Sequence, residues 1–170
     1  GNFVVAWRSD GQDGSNAGIY QQLFGTAAEM PRQTNPVLDD LRTTRVLGAA
    51  DAITPLIIDN DVSVQDSDSA NFDTGSLWVY FTSGNVAADT LAINNQGNGA
   101  GQIGVSGANV SFGGTVIGTF AGGTGGAPLV VTFDADATPE AVRNLTQNIT
   151  YEYDAAAAPA GTTNRTVAFR

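Results

Sequence analysis

The sequence contains no cysteine, no histidine and no lysine, so that every basic residue is an arginine. Each absence closes off chemistry. Without Cys there is no disulfide, thiolate nucleophile or Cys-ligated metal, and without His the commonest metal ligand and general base is gone. Without Lys there is no Schiff base, no Ser–Lys dyad and no Lys–Asn isopeptide staple. Long apolar runs are also missing: nothing approaches the ~20 residues a membrane-spanning helix needs, so no membrane span is expected. Gly1-Asn2-Phe3-Val4-Val5 has neither the basic region nor the apolar stretch of a signal peptide. The chain reads as a window cut from a longer polypeptide.

What is present is acid. Fourteen Asp and three Glu face seven Arg, for a formal charge of −10. A field of that sign repels phosphate backbones, which makes nucleic acid an unexpected partner and cations natural ones. With 170 residues, 42% of them hydrophobic, the chain can build one domain with a core plus a smaller segment. The acidic, Gly/Asn/Thr-rich, Cys-free composition favours an extracellular or cell-surface location.

Three zones follow along the chain. Residues 1–25 read as a β-hairpin, with Phe3-Val4-Val5-Ala6-Trp7 and Ile19-Tyr20-Gln21-Gln22-Leu23-Phe24 flanking a turn-rich cluster. An isolated hairpin is marginal in water and must dock on something, which marks Phe3, Trp7 and Tyr20 as interface candidates. Residues 26–45, with Pro31 and Pro36 and no sustained period, read as a linker in which 37–42 manages one helical turn at most. From 46 to 170, short strands punctuated by Gly, Asn and Asp are the pattern of a β-sandwich. Alternation assigns core faces to Leu77/Val79/Phe81, Ile103/Val105, Val110/Phe112, Val116/Phe120, Leu129/Val131/Phe133, Ile149/Tyr151/Tyr153 and Val167/Phe169. One segment breaks the pattern: Thr138 as N-cap, Pro139 at the first helical position and Glu140 beside the helix N-terminus predict a short helix over 138–147. The glycine-rich runs 97–101 and 122–126 read as strand connections, the first as a tight hairpin, because no basic residue or helix follows to make a phosphate cradle.

Four sets of residues could carry chemistry. Asp59 and Asp61, then Asp66, Asp68 and Asp73, supply hard oxygen ligands at alternate positions, suited to Ca²⁺ with its roughly 6–8 oxygens; the same residues also cap turns between strands. Asp10, Gln12 and Asp13 could bend round a cation but lack EF-hand spacing, and equally suit a hairpin loop. Trp78 and Tyr80 point away from the core face of their strand. That makes them either a covered second face or a flat platform for sugars. Finally, Asp134 with Asp136, or Glu152 with Asp154, could supply glycosidase acids, though nothing in their spacing singles out a raised-pKa partner. No catalytic residue is assigned, and the chain is expected not to be an enzyme.

The ordered succession from Thr54-Pro55-Leu56-Ile57-Ile58-Asp59 through Asp66–Leu77, Gly101–Gly107, Gly114–Phe120, Ala137–Val142 and Asn148-Ile149-Thr150-Tyr151 resembles the cadherin-like repeats of giant secreted bacterial surface proteins of the adhesin and repeats-in-toxin type. The likeness covers about two thirds of the chain. The opening Phe3–Trp7, Ser9–Ser15 and Gly18-Ile19-Tyr20 is similar to a different short β repeat that recurs in tandem in such proteins. The resemblance implies an all-β, Greek-key cadherin-like or immunoglobulin-like sandwich with one short helix and an N-terminal hairpin. It also implies calcium dependence carried by Asp66, Asp68 and Asp73. Those repeats normally run on into an acidic Asp-Gly-rich segment, whereas this chain stops at Arg170. The expected role is a non-catalytic structural or adhesive module, calcium-stiffened and assembling into a fibre, surface layer or long adhesin. Its expected partners are neighbouring copies or repeats and surface glycans. A carbohydrate-binding module is the alternative, and a carboxylate glycoside hydrolase comes third.

Overall fold

The computed structural model describes residues 3–9, 18–24, 37–39, 45–47, 54–66, 69–154 and 164–170, the first four stretches as backbone strands. They belong to two compact units, Gly1–Gln33 and Thr34–Arg170. In the smaller unit β1 (Phe3–Ser9) and β2 (Gly18–Phe24) form the antiparallel hairpin that the β-rich runs predict, with Phe3 opposite Phe24 and Trp7 opposite Tyr20.

The larger unit is an all-β sandwich. One sheet has seven strands in the order β4 (Arg45–Leu47), β14 (Arg165–Phe169), β7 (Ser76–Ser83), β12 (Leu129–Phe133), β11 (Thr115–Gly122), β10 (Asn109–Phe112) and β9 (Ile103–Ser106), all neighbours antiparallel. The other has three, β5 (Leu56–Ile57), β13 (Ile149–Tyr153) and β8 (Asp89–Ile93). A short ladder joins β3 (Val37–Asp39) to β6 (Ser63–Gln65). Residues 37–39, inside the stretch read as a linker, are therefore a strand and not a helical turn: Val37-Leu38 is β-apt, and β6 offers it a partner.

The core lies between the sheets, with Leu77, Val79, Ile103, Val110, Leu129, Val131, Ile149 and Val167 buried, as period-two alternation requires. One phase is different. Ile117 is buried and Val116 exposed, because Val110 pairs with Gly118 while Ser111 pairs with Val116. That bulge adds one residue to β11 and turns its side chains over, so Val116 is not a core residue.

The helix α1 (Pro139–Thr146) forms where its caps predict. The Thr138 hydroxyl accepts from the Ala141 amide at 3.2 Å, Pro139 opens the first turn and Glu140 complements the N-terminus. Ala141, Val142 and Leu145 face the core, and α1 carries the chain from β12 of one sheet to β13 of the other.

Residues 97–101 are not a hairpin. They link β8 and β9, which lie in different sheets, and the crossing loop seals the edge strand β9. Asn95 Oδ1 accepts from the Val105 amide at 3.1 Å and its Nδ2 donates to the Val105 carbonyl at 3.4 Å. Gln96 treats Ile103 likewise, its Oε1 accepting from the Ile103 amide at 3.0 Å and its own amide donating to the Ile103 carbonyl at 2.7 Å. The side chains of Asn95 and Gln96, with the Gln96 backbone amide, thus take the place of a further strand, one way of blunting a pairing-competent edge. The loop passes so close that a Cβ on Gly104 would collide with Asn98 Oδ1 and lie 2.6 Å from Ser111 Oγ.

Two substitutions test this packing. Leu145→Ala, at a position with no exposed surface, should lower unfolding free energy by about 2–5 kcal/mol. Thr138→Ala should lower it by about 1 kcal/mol through the lost cap. Equilibrium denaturation measures both, and a loss below about 0.5 kcal/mol for Leu145→Ala would mean that α1 is not seated as described.

Candidate functional site

Three groups of polar residues bear on function, and they differ in what they can do. The first is buried. Asp89 and Arg165 lie almost wholly inside the sandwich, the Arg165 Nε reaching Asp89 Oδ1 at 3.1 Å and Oδ2 at 3.2 Å. The Tyr151 hydroxyl donates to Asp89 Oδ1 at 2.8 Å, and the Val86 amide to Oδ2 at 2.6 Å. The Arg165 guanidinium stands 4.8 Å from the centroid of the Tyr153 ring. Asp89 and the two tyrosines belong to the three-stranded sheet and Arg165 to the seven-stranded one, so the cluster is a clamp across the sandwich.

Its electrostatics follow from burial. The Tyr151 phenol is pushed well above its ordinary value, first by burial and then by its hydrogen bond to Asp89. Burial works against the Arg165 charge, but the hydrogen bond to Asp89 leads the effects that raise its pKa. Both shifts favour the protonated phenol and the charged guanidinium. This is structural chemistry, closed to solvent, and sequence reading did not find it.

The second group is the set of acids expected to hold calcium. Asp59 is buried and its Oδ1 accepts from the Asp61 amide at 3.2 Å. Asp66 Oδ1 accepts from the Ser69 amide at 3.2 Å, and Asn71 Oδ1 from the Asp73 amide at 3.3 Å. These are turn-closing bonds at separate points of the loop. Asp68, Asp10, Gln12 and Asp13 lie outside the described residues. Among the described residues no group of three or more Asp or Glu stands close enough to hold a metal. The described carboxylates of this loop do not by themselves converge on one point.

The glycosidase candidates are placed as turn and strand-end residues. Asp134 Oδ1 accepts from the Asp136 amide at 3.0 Å, and Glu152 and Asp154 lie at the end of β13. None of the four is among the described residues lining either groove described next.

The third group is accessible. Leu77 and Val79 of β7 point into the core, which turns Ser76, Trp78 and Tyr80 to the outer face of the seven-stranded sheet. Trp78 is 44% exposed, and Tyr80 beside it is half-buried. The register sets Val130 and Ala121 beside Trp78 on one side and Arg170 on the other, with Thr132 and Thr119 beside Ser76 and Ala168 beside Tyr80. In a chain of formal charge −10, the side chains of this described row include no carboxylate.

An open groove of about 620 Å³ runs along it, lined by Ser76, Trp78, Tyr80, Pro128 and Arg170. The indole is fixed, its Nε1 donating to Ser76 Oγ at 3.1 Å, and the backbones of Trp78 and Arg170 exchange two hydrogen bonds of 2.8 Å. A second, mostly apolar cleft of about 250 Å³ shares Ser76 and Arg170 and is walled by Phe72, Leu77, Phe133 and Val142. The residues Phe3, Trp7 and Tyr20 have described backbones in β1 and β2, and nothing is assigned to their side chains.

No protein-family model, no characterised protein and no solved structure matches the chain. Among the described residues no helix is long and apolar enough to cross a membrane. The geometry above therefore carries the functional reading by itself.

The clamp makes two measurable demands. Asp89→Asn removes the buried carboxylate charge that faces Arg165 and should cost about 3–5 kcal/mol, whereas Asp89→Leu with Arg165→Met should recover most of that loss. A raised phenol pKa means that the folded chain holds the Tyr151 proton more tightly than the unfolded chain does. Its contribution is whole below about pH 10 and is lost as the pH rises past that value. Tyr151→Phe should flatten this alkaline fall in stability relative to the parent, read from denaturation midpoints between pH 8 and 11. An unchanged slope would remove Tyr151 from the clamp.

Proposed function

We propose that this chain is a non-catalytic structural and adhesive module of a secreted bacterial surface protein, which holds its shape while one sheet face meets a surface glycan and the hairpin meets a neighbouring copy or repeat. The fixed, exposed Trp78 on the outer sheet face is the observation that carries this reading. A large aromatic left in water, flat and oriented, is the usual make-up of a contact site and a liability otherwise. The buried clamp supports the same reading, since an internal charge pair joining the sheets makes a shape hard to deform.

Assembly is assigned to the hairpin. Among the described residues β1 and β2 pair only with each other, and a two-stranded ribbon offers backbone donors and acceptors on both outer edges. The cadherin-like, Greek-key connectivity and the calcium-stiffened joint belong to this proposal as well. Calcium is tested by melting with added ion and with chelator, and a melting temperature indifferent to both removes it.

The second reading, a carbohydrate-binding module, is favoured by the groove: Trp, Tyr, Ser and Arg along an open channel are the side chains that stack on and hydrogen-bond to a sugar. It differs from the first only in whether the module anchors an enzyme or a cell surface.

Sedimentation velocity and electron microscopy over a concentration series check the assembly claim. The full chain should form higher-order species that a chain lacking residues 1–25 does not, with the melting of the sandwich unchanged. Equal assembly by both chains overturns the hairpin's role, and steady cleavage of a polysaccharide would overturn the non-catalytic reading.

A further inference from the structure

We infer that Asn98 is a self-modification site, an asparagine that closes on the Gly99 nitrogen, loses ammonia and becomes aspartate or isoaspartate, and that Gln102 and Ser111 hold this reaction in check while the sandwich is folded. Asn98-Gly99 is the one Asn-Gly step in the sequence, and it lies exposed in the loop that crosses from β8 to β9. A glycine after asparagine leaves the peptide nitrogen unshielded by a side chain and the backbone free to bring it to the carboxamide. The reaction consumes only water. Solvent base removes the Gly99 amide proton, the nitrogen attacks Asn98 Cγ, and the carboxamide nitrogen leaves as ammonia, giving a five-membered imide. Water opens that ring at Cγ to give aspartate, or at the Asn98 backbone carbonyl carbon to give isoaspartate. In isoaspartate the main chain runs through the side chain and is longer by one methylene.

The fold ties up both partners of that ring closure. The Gly99 amide donates to Gln102 Oε1 at 2.9 Å, and the Gln102 amide donates back to the Gly99 carbonyl at 3.0 Å. A hydrogen-bonded amide gives up its proton only when its bond opens, so the nucleophile forms only in the opened fraction of the loop. The electrophile is held as well. Asn98 Oδ1 accepts from the buried Ser111 hydroxyl at 3.0 Å and lies against Gly104, where no Cβ would fit. Turning the carboxamide onto the Gly99 nitrogen gives up that bond. The two restraining residues are themselves anchored, Ser111 in β10 and Gln102 through its carbonyl, which accepts from the Gly113 amide at 2.9 Å. The site also adjoins the seal of the sheet edge, since Asn95 and Gln96 of the same loop occupy the hydrogen-bonding groups of Val105 and Ile103. An added methylene at position 98 strains the stretch between Gln96 and Ile103 and loosens those side chains from β9.

Incubation of the full chain at mildly alkaline pH and body temperature, with peptide mapping by mass spectrometry and an isoaspartyl methyltransferase assay, reads the reaction at Asn98 directly. The folded chain should convert Asn98 at least roughly tenfold more slowly than the chain held unfolded in urea. Gln102→Ala and Ser111→Ala should each speed conversion in the folded chain by about threefold or more, because each opens one of the two restraints. Circular dichroism and melting curves confirm folding of each variant. Ser106→Ala, exposed on the same hairpin, should leave the parent rate. Adding Gly99→Ala to Gln102→Ala should reverse the gain, since Gly99 has no positive φ and the atoms nearest an added Cβ belong to the Gln102 side chain. In the converted chain, separated by its extra negative charge on ion exchange, the Ile103 and Val105 amides should lose hydrogen-exchange protection while those of Leu129 and Val131 keep theirs. Equal rates in the folded and unfolded chains overturn the check, and Gln102 and Ser111 variants no faster than the parent or than Ser106→Ala overturn those residues as its source. Absence of conversion at Asn98 in urea overturns the site itself, and unchanged exchange at Ile103 and Val105 overturns its link to the sheet edge.

Discussion

A carboxylate buried between two sheets is the constraint around which the larger unit is organised. An unpaired Asp89 in that position would be strongly unfavourable, and the fold places three donors on it from three parts of the chain: the Arg165 Nε–H, shared between both Asp89 oxygens, the Tyr151 hydroxyl and the Val86 amide. Satisfying one charge fixes the phase of three strands at once. A one-residue slip of β13 would withdraw Tyr151 and turn Tyr153 away from the guanidinium, and a slip of β14 would carry Arg165 out to solvent. Alternation in the apolar core excludes a one-residue slip, and the clamp adds a charged contact that any slip would break. Its contribution is better understood as specificity of pairing than as net stability, since well-packed apolar residues could fill the same space.

Much of the fold was legible because alternation has a strict period. Leu129/Val131/Phe133 and Ile149/Tyr151 are buried where period two puts them, and Thr138-Pro139-Glu140 starts a helix where capping chemistry puts one. The failures have physical causes. The phase of β11 turns over at a bulge, which needs a partner strand to define it. The 97–101 loop has the glycines of a hairpin but crosses between sheets, and that difference lies in which strands its ends join. A pairing between residues 76 apart, Arg165 and Asp89, has no local trace. One signal was nonetheless on the page: Arg165 shares parity with Val167 and Phe169, and Asp89 with Leu91 and Ile93, so each charge sat in the inward phase of its own strand.

The candidate face was half legible. That Trp78 and Tyr80 oppose Leu77 and Val79 follows from the sequence, but whether the second face is covered is decided by the chain's other elements. Arg170 as their neighbour follows only from the pairing of β14 with β7. The acidic loop poses a different difficulty. Asp59, Asp66 and Asn71 have the chemistry of ligands and the geometry of turns, because a side-chain oxygen that closes a turn needs no second carboxylate nearby, whereas a cation site needs several to converge. Spacing along the chain cannot distinguish these two demands.

The distribution of surface chemistry then restricts how such a unit meets others. At the β9 edge, Asn95 and Gln96 occupy the hydrogen-bonding groups of Val105 and Ile103 that an added strand would require, so lateral growth of the seven-stranded sheet is blocked there. Carboxylates at the turns, such as Asp61, Asp73 and Asp136, repel a like-charged neighbour approaching those loops. The outer face of β14, β7, β12 and β11 has neither obstacle. Whatever meets that face meets side chains and not unpaired backbone groups, because β14, β7, β12 and β11 each have a neighbour on either side.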